Sequence, residues 1–495
     1  VRLKRAALVA GLVGAVAGCS LEPNYSRPRA AVPPAWPSGP AYAAATAGLP
    51  AARFADVVRD PKLIAVVNLA LAKNQNLAAA LANVEIARGQ YRITRGAQFP
   101  AINANSQLTL AEGGSGSAGS IVGSSFRSIY SINLGLAAFE LDLFGRIRSQ
   151  TRAAIANYLA TDLGVASTRL TLAAEVANAY LVLAADRSLL RIAQETQRVA
   201  AQSVELTRAR LEGGVAPRSD LAQAQTIEAA ARSAIASQTT QVAQDLNALE
   251  LLTGAPVPPE LQPGGIEELD RSLGDAPAGL SSEVLLRRPD VLAAEYRLRG
   301  ANASIGAARA AFLPRISLTA ATGFLSPALA GLFDENRFTW QVAPSATVPI
   351  FQGGALRGNL TVARGNRELA LAQYQLAIQT AFRDVANALA RHGTIEAQTA
   401  ADRDREAAAL DTLNLTTARY RGGIDPFLTT LDAQRTLFTA RQVLVATRLA
   451  RATNRIELYR AIGGDELTDP LPLSGRNARA EAARVSPPGS AGPGR

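Results

Sequence analysis

Few residues in this chain could do covalent chemistry. Its 495 residues include one cysteine, Cys19, and one histidine, His392. That excludes a disulfide framework, a Cys/His zinc site and a Cys/His nucleophilic pair; with no other cofactor motif in the chain, neither a metal nor a cofactor is expected. His392 sits in a long Ala-rich stretch and reads as a surface or inter-helix residue rather than a base. The glycine pairs Gly213-Gly214 and Gly422-Gly423 lack both a preceding buried strand and a following Lys-Ser/Thr, so they are not phosphate loops. Arg287-Arg288 runs into Pro289-Asp290, which reads as a helix start with local ion pairing. The most regular polar constellation is Leu428, Asp432 and Arg435, at i, i+4 and i+7 on one helix face. No catalytic constellation remains, and the chain reads as a non-enzyme.

Composition narrows the class further. Apolar residues make up 48% and charged residues 19%, ordinary for a folded protein and far from a disordered one. The formal charge is +10, but the first 18 residues and the segment 475–495 each contribute +3. The remainder is too small to argue for nucleic acid as a partner.

Residues 1–18 have the shape of a secretory signal: Arg2, Lys4 and Arg5, an apolar run from Ala6 to about Val16, then small residues. The run is too short to span a bilayer, and no later stretch approaches 18 uncharged apolar residues. Cys19 follows Val16-Ala17-Gly18, which resembles a lipobox, with cleavage before the cysteine and diacylglycerol on its thiol. Ser20 rather than Asp follows it, and by resemblance to such lipoproteins this favours the outer membrane. Attached acyl chains add ~0.8 kcal/mol of anchoring per buried methylene.

The body of the chain is duplicated. EVANAY at 175–180 returns as DVANAL at 384–389, and ARLEGGVAP at 209–217 returns as ARYRGGIDP at 418–426, both at an offset of 209. NALEL at 247–251 returns as NRIEL at 454–458, an offset of 207. The expected organisation is a signal at 1–18, a lipidated extended segment at 19–59, repeats at 60–254 and 281–464 around a linker at 255–280, and a disordered tail at 465–495.

Each repeat has the same internal order. The proline-free segments 145–211 and 353–421 are rich in strong helix formers. If continuous, each is a rod of about 100 Å at 1.5 Å per residue. Gly213-Gly214 and Gly422-Gly423 suit left-handed helix ends, and Pro217 and Pro426 suit the first position of the following helix. Asp425 would then be an N-cap, where the first repeat has Ala216. Both sites read as the tips of helical hairpins.

Before each rod the period switches to two. Ile102, Ala104, Leu108 and Leu110 face one way and Asn103, Asn105, Gln107 and Thr109 the other. Ile132, Leu134 and Leu136, then Ile316, Leu318 and Ala320, then Phe338, Trp340 and Val342 continue the alternation. Strands of about 10 residues with one lipid face and one wet face fit a transmembrane β-barrel, with Phe338 and Trp340 in an interfacial aromatic girdle. Two hairpins per chain cannot close, because known barrels need at least about eight strands. An open edge in lipid would leave backbone groups unsatisfied, so the barrel must be shared between chains.

FELDLFGRIR at 139–148, LLRRPDVLAAE at 285–295, ANASIGAARAAFLPRISLTA at 301–320, IQTAFRDVANALA at 378–390 and LDAQRTLF at 431–438 resemble the TolC-like outer membrane factors, in their NodT/OprM-type lipoprotein branch. The resemblance runs from about Cys19 to about Gly464. It implies a mixed α/β fold: a homotrimer whose twelve-stranded barrel, four strands per chain, lies in outer-membrane lipid and continues into a periplasmic helical barrel. It also implies a passive efflux duct working with a periplasmic adaptor (a membrane fusion protein) and an inner-membrane pump of the resistance-nodulation-division type. The duct of a protein-exporting type I system is the alternative. In the family, the stripe matching Leu428, Asp432 and Arg435 narrows the periplasmic end. Asp220, Tyr420 and Asp425 match tip positions whose polar contacts hold that end closed.

Overall fold

The computed structural model describes residues 21–29, 32–33, 35–42, 54–113, 125–274 and 282–464. The signal, Cys19, most of the glycine-rich loop after Gly113 and the tail at 465–495 lie outside the described residues. The chain runs α1 (Phe54–Val57), α2 (Pro61–Lys73), α3 (Gln75–Gly96), β1 (Ile102–Gly113), β2 (Ser125–Leu141), α4 (Arg146–Glu212) and α5 (Arg218–Thr253). It continues through α6 (Ile266–Ser272), α7 (Pro289–Ala310), β3 (Arg315–Ser326), β4 (Phe338–Thr347), α8 (Ala355–Arg421) and α9 (Phe427–Ile462).

The duplication is visible element by element. The rods α4 and α8 are 67 residues each, the return helices α5 and α9 are 36 each, and α3 and α7 are 22 each. Gly254 and Gly463 close the return helices in left-handed geometry, with φ of 68° and 102°. Both return helices have the same length from proline to glycine, so the offset stays at 209 to the end. The apparent offset of 207 between NALEL and NRIEL is therefore not the structural alignment. Leu249 corresponds to Leu458, and both are buried.

Helix pairing leaves two free edges. In the half next to the strands, α3 packs on α4, α4 on α7 and α7 on α8. Toward the tips, α5 packs on α4, α4 on α9 and α9 on α8. Thus α8 borders one side of the layer along its length, and α3 followed by α5 borders the other.

The strands form one antiparallel sheet in the order β1-β2-β3-β4, so β1 and β4 are its edges. The register sets Ile102 opposite Leu136, Leu136 opposite Ala320 and Ala320 opposite Val342. It likewise sets Asn105 opposite Asn133 and Asn133 opposite Gly323. Period-two geometry therefore collects the apolar residues on one face and the amides and hydroxyls on the other. β2 carries one extra residue between Leu136 and Phe139, where Ala138 takes a φ of 46°. The bulge brings Phe139 and Leu141 back to the apolar face, opposite Leu318 and Ile316.

The segment between the repeats packs across the middle of the rods. Tyr180 donates to the Leu261 carbonyl at 2.9 Å, and Arg187 binds the Pro263 carbonyl and the Gln262 side chain. Buried Asp270 on α6 is held by Arg451 and Arg455 of α9. Burial of Tyr180, Leu181, Leu249, Tyr374, Ile456 and Tyr459 marks this level as the main core. Arg288 precedes α7 with its guanidinium on Asp290 at 2.8 Å and on the Ala461 carbonyl at 2.6 Å, and Pro289 opens the helix.

Candidate functional site

The hairpin tips are built by backbone chemistry that the glycine pairs permit. Gly214 and Gly423 take φ of 71° and 73°, where a β-carbon is unfavourable, while Gly213 and Gly422 remain near helical geometry. Val215 N donates to Arg210 O and Gly214 N to Leu211 O, at 2.9 and 3.0 Å. Ile424 N to Arg419 O and Gly423 N to Tyr420 O repeat the pattern at the same distances. Both ends are Schellman motifs, which satisfy carbonyls the rods would otherwise leave bare.

Two expectations at the tips are corrected. Pro217 and Pro426 are the half-in residues before the return helices, with ψ of 154° and 156°, and the helices begin at Arg218 and Phe427. Asp425 is consequently not the N-cap. Its carboxylate turns back to the rod end and accepts from Arg419 Nε and Nη2 at 2.6 and 2.9 Å. That hydrogen-bonded pairing holds the Asp425 carboxyl below its usual range.

Tyr420 belongs to a small second core with Val204, Ala224, Phe427 and Leu431. It is 4% exposed, and its ring lies 5.0 Å from that of Phe427. Its hydroxyl is buried without a hydrogen-bond partner among the described residues. Burial raises the Tyr420 phenol above its ordinary range; the Arg210 guanidinium opposes that rise and the Asp220 carboxylate adds to it. Asp220 is half-buried in the first turn of α5, next to Leu221, which packs against this second core.

The stripe itself is present and outward. Leu428, Asp432 and Arg435 are all exposed on α9, while the intervening Leu431, Ala433 and Gln434 are buried. The backbone carbonyls of Asp432 and Arg435 accept from Thr436 and Thr439 at 2.8 and 3.0 Å. Within one chain the stripe is thus separate from Asp425 and Tyr420. The six expected gate residues fall into three groups: Asp425, held by Arg419; Tyr420 with Asp220; and the α9 stripe of Leu428, Asp432 and Arg435.

Arg210 and Arg419 were missed at the sequence level. They are repeat mates, and the Ala216/Asp425 mismatch held the signal. Asp425 engages Arg419, whereas the first repeat has Ala216 in place of that carboxylate and Arg210 reaches across to Tyr420 of the other hairpin. The N-terminal segment was also read only as extended. In fact Glu22 pairs with Arg152 at 2.7 Å, Pro23 O accepts from Asn302 and Leu21 O accepts from Arg309 at 3.1 Å. Farther along, buried Glu295 is clamped by Arg27 and Arg299 at 2.5 and 2.6 Å, and Trp36 stacks on Phe382 at 5.0 Å. Hydrogen bonds from the two arginines outweigh desolvation and hold the Glu295 carboxyl below its usual range.

A family model described as outer membrane efflux protein matches residues 66–255 and 280–464. The toluene efflux pump outer membrane protein TtgC of Pseudomonas putida is 42% identical over 457 residues, covering 90% of this chain and 93% of that relative. The outer membrane protein OprJ of Pseudomonas aeruginosa is 38% identical, with 93% and 95% covered. The crystal structure of the Neisseria gonorrhoeae MtrE outer membrane channel in its open state superposes with a TM-score of 0.81 at 34% identity, covering 90% of this chain and 98% of that one. A membrane protein from Pseudomonas aeruginosa gives 0.83 at 36% identity, with 91% and 99% covered. Paired rods, a four-stranded sheet with one apolar face and glycine-closed tips are thus a TolC-like fold, and the chain belongs to the outer membrane efflux protein family.

Proposed function

We propose that three copies of this chain close into a passive, non-enzymatic duct through the outer membrane, serving a tripartite efflux system with a periplasmic adaptor and an inner-membrane pump. The observation that carries the reading is the pair of matched open edges. β4 runs into α8 on one side, and α3 runs into β1 on the other, so strand edge and helix edge are continuous. An antiparallel sheet of four strands has no closed form in lipid, and head-to-tail joining of these two edges generates a ring. Three copies give twelve strands and a wet lumen lined by Asn103, Asn105, Asn133 and Gln341.

The helix edges support the same closure. Val362, Leu369 and Leu376 recur every seven residues on α8 and are 61%, 57% and 61% exposed. Ile86 and Ile93 on α3 are 68% and 70% exposed. Such a row of aliphatic side chains fits the α3 edge of a neighbouring copy.

Cys19 is the proposed lipid anchor. Leu21, two residues later, is held by Arg309 in the last turn of α7, shortly before β3 begins. The start of the N-terminal segment thus lies near the end of α7 that leads into the sheet, which supports an anchor on that side. Mass spectrometry of the mature protein should find an acylated N-terminal Cys19, and any other N-terminus overturns the anchor. At the far end, three copies of the Leu428, Asp432 and Arg435 stripe would ring the opening, with Asp432 favouring cations in the neck. Asp220, Tyr420 and Asp425 shape the tips that carry it.

Efflux is tested in cells lacking their own duct of this class but retaining adaptor and pump. Expression of this chain should restore export of a fluorescent dye. Trimer in the outer membrane without restored export would contradict the efflux assignment.

A further inference from the structure

The bulge in β2 does more than restore the apolar pattern. Strict alternation from Ile132, Leu134 and Leu136 would point Glu140 to the apolar face. With the extra residue near Ala138, Phe139 and Leu141 take that face, and Glu140 turns to the polar one opposite Ser317. Two arginines from different elements meet it there. Arg146, in the first turn of α4, donates from Nε and Nη2 at 2.8 and 2.6 Å, which occupies both carboxylate oxygens. Arg315, the first residue of β3, approaches only to 3.4 Å, and its side chain stays 59% exposed. The neighbouring carboxylate, Asp142, is already engaged. It accepts from the backbone N–H groups of Ile147 and Arg148 at 3.1 and 2.8 Å, and from Arg148 Nε at 3.4 Å. Three arginines thus stand against two carboxylates, and Arg315 is the least committed of the three.

Glu140, Arg146 and Arg315 line a cavity of about 240 Å³ with Thr347 and Gln352, where the strands meet the helices. Pockets for whole drug-sized molecules run to about 300–1,000 Å³, so this one suits a single charged group of a larger molecule. The wall farther from the sheet is neutral. Arg146 also donates to Gln150 at 3.4 Å, and Gln150 borders a broad concave surface shared by α3, α4, α7 and α8. Asn83, Gln90, Asn157, Asn359 and Asn366 line that surface, and none of its lining residues is Asp, Glu, Lys or Arg. The duplication shows that the architecture does not require the charged group. Gly145 and Gly354, left-handed before both rods, fix the offset of 209, at which Glu140 and Arg146 correspond to Pro349 and Ala355. Arg315 follows Pro314 where Ala101 follows Pro100. The group is therefore built once per chain.

We propose that Glu140, Arg146 and Arg315 form a binding site for an anionic group, a carboxylate, sulfonate or phosphate, carried by a molecule passing through the duct. The site rests on the wet lumen proposed above, and three copies would place three of them around the passage from helices to strands. Arg315 is the residue that meets the ligand: its planar guanidinium offers paired N–H donors that match a carboxylate or sulfonate edge. Arg146 remains on Glu140, which holds the site together and limits its strength by competing for the same cations. An anionic group leaving the neutral concave wall meets its first fixed positive charge here. Weak, reversible capture suits a duct that must release what it binds.

Fluorescence anisotropy of pyranine, a pyrene trisulfonate, with the full-length protein in nonionic detergent tests the site. Binding should saturate and weaken as salt rises. Arg315→Ala should weaken it about tenfold, the loss of one hydrogen-bonded charge contact. Arg315→Lys keeps the charge without the planar fork and should fall between. Glu140→Gln should tighten binding severalfold, because Arg146 is then released to the ligand; a merely structural ion pair would not do this. Arg337→Ala removes the same charge from an exposed position just before the other end of β4, and should bind like the unaltered protein. Absence of saturable binding, equal affinity in Arg315→Ala and the unaltered protein, equal loss in Arg315→Ala and Arg337→Ala, or weaker binding by Glu140→Gln would each overturn the proposal. The readout needs no current, so pyranine bound by a protein that forms no channel would contradict the duct and not the anion site.

Discussion

Arg210 and Tyr420 join the two hairpin tips: the guanidinium carbon sits 4.6 Å from the ring centroid, and Nη1 donates to the Tyr420 carbonyl at 3.0 Å. One arginine thus holds both a side chain and a rod-end carbonyl of the other repeat. Its mate, Arg419, is engaged by Asp425 within its own tip. A cation over an aromatic face contributes about 0.5–2 kcal/mol, depending on desolvation. Arg210→Ala should free the end of α8 and raise single-channel conductance. Arg210→Lys keeps the charge but loses the planar contact and should fall between the two. Conductance unchanged in both variants would show that the contact only packs the tip.

The sheet faces make opposite demands on the same substitution. Leu134→Arg puts a charge on the apolar face, costing about 2–4 kcal/mol at the middle of a bilayer. The neighbouring Asn133→Arg puts it on the polar face. Folding into lipid vesicles, followed by heat-modifiable mobility in gels, should show loss of assembled protein for the first and near-normal yield for the second. Equal yields would contradict the assignment of faces.

The α8 edge is expected to be an interface between copies. Leu369→Asp would bury a carboxylate in each copy-to-copy contact, at a cost of about 2 kcal/mol or more per contact. Native mass spectrometry in detergent should find three chains for the unaltered protein and mostly monomer for the variant. A stable folded monomer of the unaltered protein would contradict ring closure.

The N-terminal segment should come loose when its clamp is removed. Glu295→Gln takes away the charge that Arg27 and Arg299 share, leaving two cations facing a neutral amide. Trypsin should then cut after Arg29 at least severalfold faster; the bond after Arg27 leads into Pro28 and resists trypsin in either case. The depressed Glu295 carboxyl also sets a pH dependence. Its contribution is present above the ordinary carboxylate range near ~4 and is lost as pH falls through the lower folded value, so the unaltered protein should also become susceptible in strong acid.

Much of this architecture was legible because repetition fixes lengths. The proline-free segments 145–211 and 353–421 end at glycine pairs 209 residues apart, and the rods that form there are both 67 residues long. Alternation from Ile102 to Leu110 and from Ile316 to Ala320 exposed the strand faces for the same local reason. What escaped depended on side-chain orientation and on contacts between distant segments. Asp425 looked like a cap, because nothing local shows that Arg419 would draw its carboxylate backward. The Glu295 clamp joins residues 268 apart in sequence, and no local pattern announces it. The bulge at Ala138 was invisible because Ala137-Ala138 fits either face. Leu428, Asp432 and Arg435 were readable as one stripe, but their assembly into a ring depends on the symmetry of three chains.

Single-channel recording in planar bilayers tests the duct and its closed tip most directly. The purified protein should conduct weakly and prefer cations. Asp432→Ala with Arg435→Ala should raise the conductance and reduce the preference. The matching control is Asp404→Ala with Arg405→Ala on the exposed face of the rod; Asp402 is unsuitable because Thr447 donates to it at 2.7 Å. The control should conduct like the unaltered protein. Equal conductance in the tip and rod variants, or no channel from the assembled protein, would contradict the account.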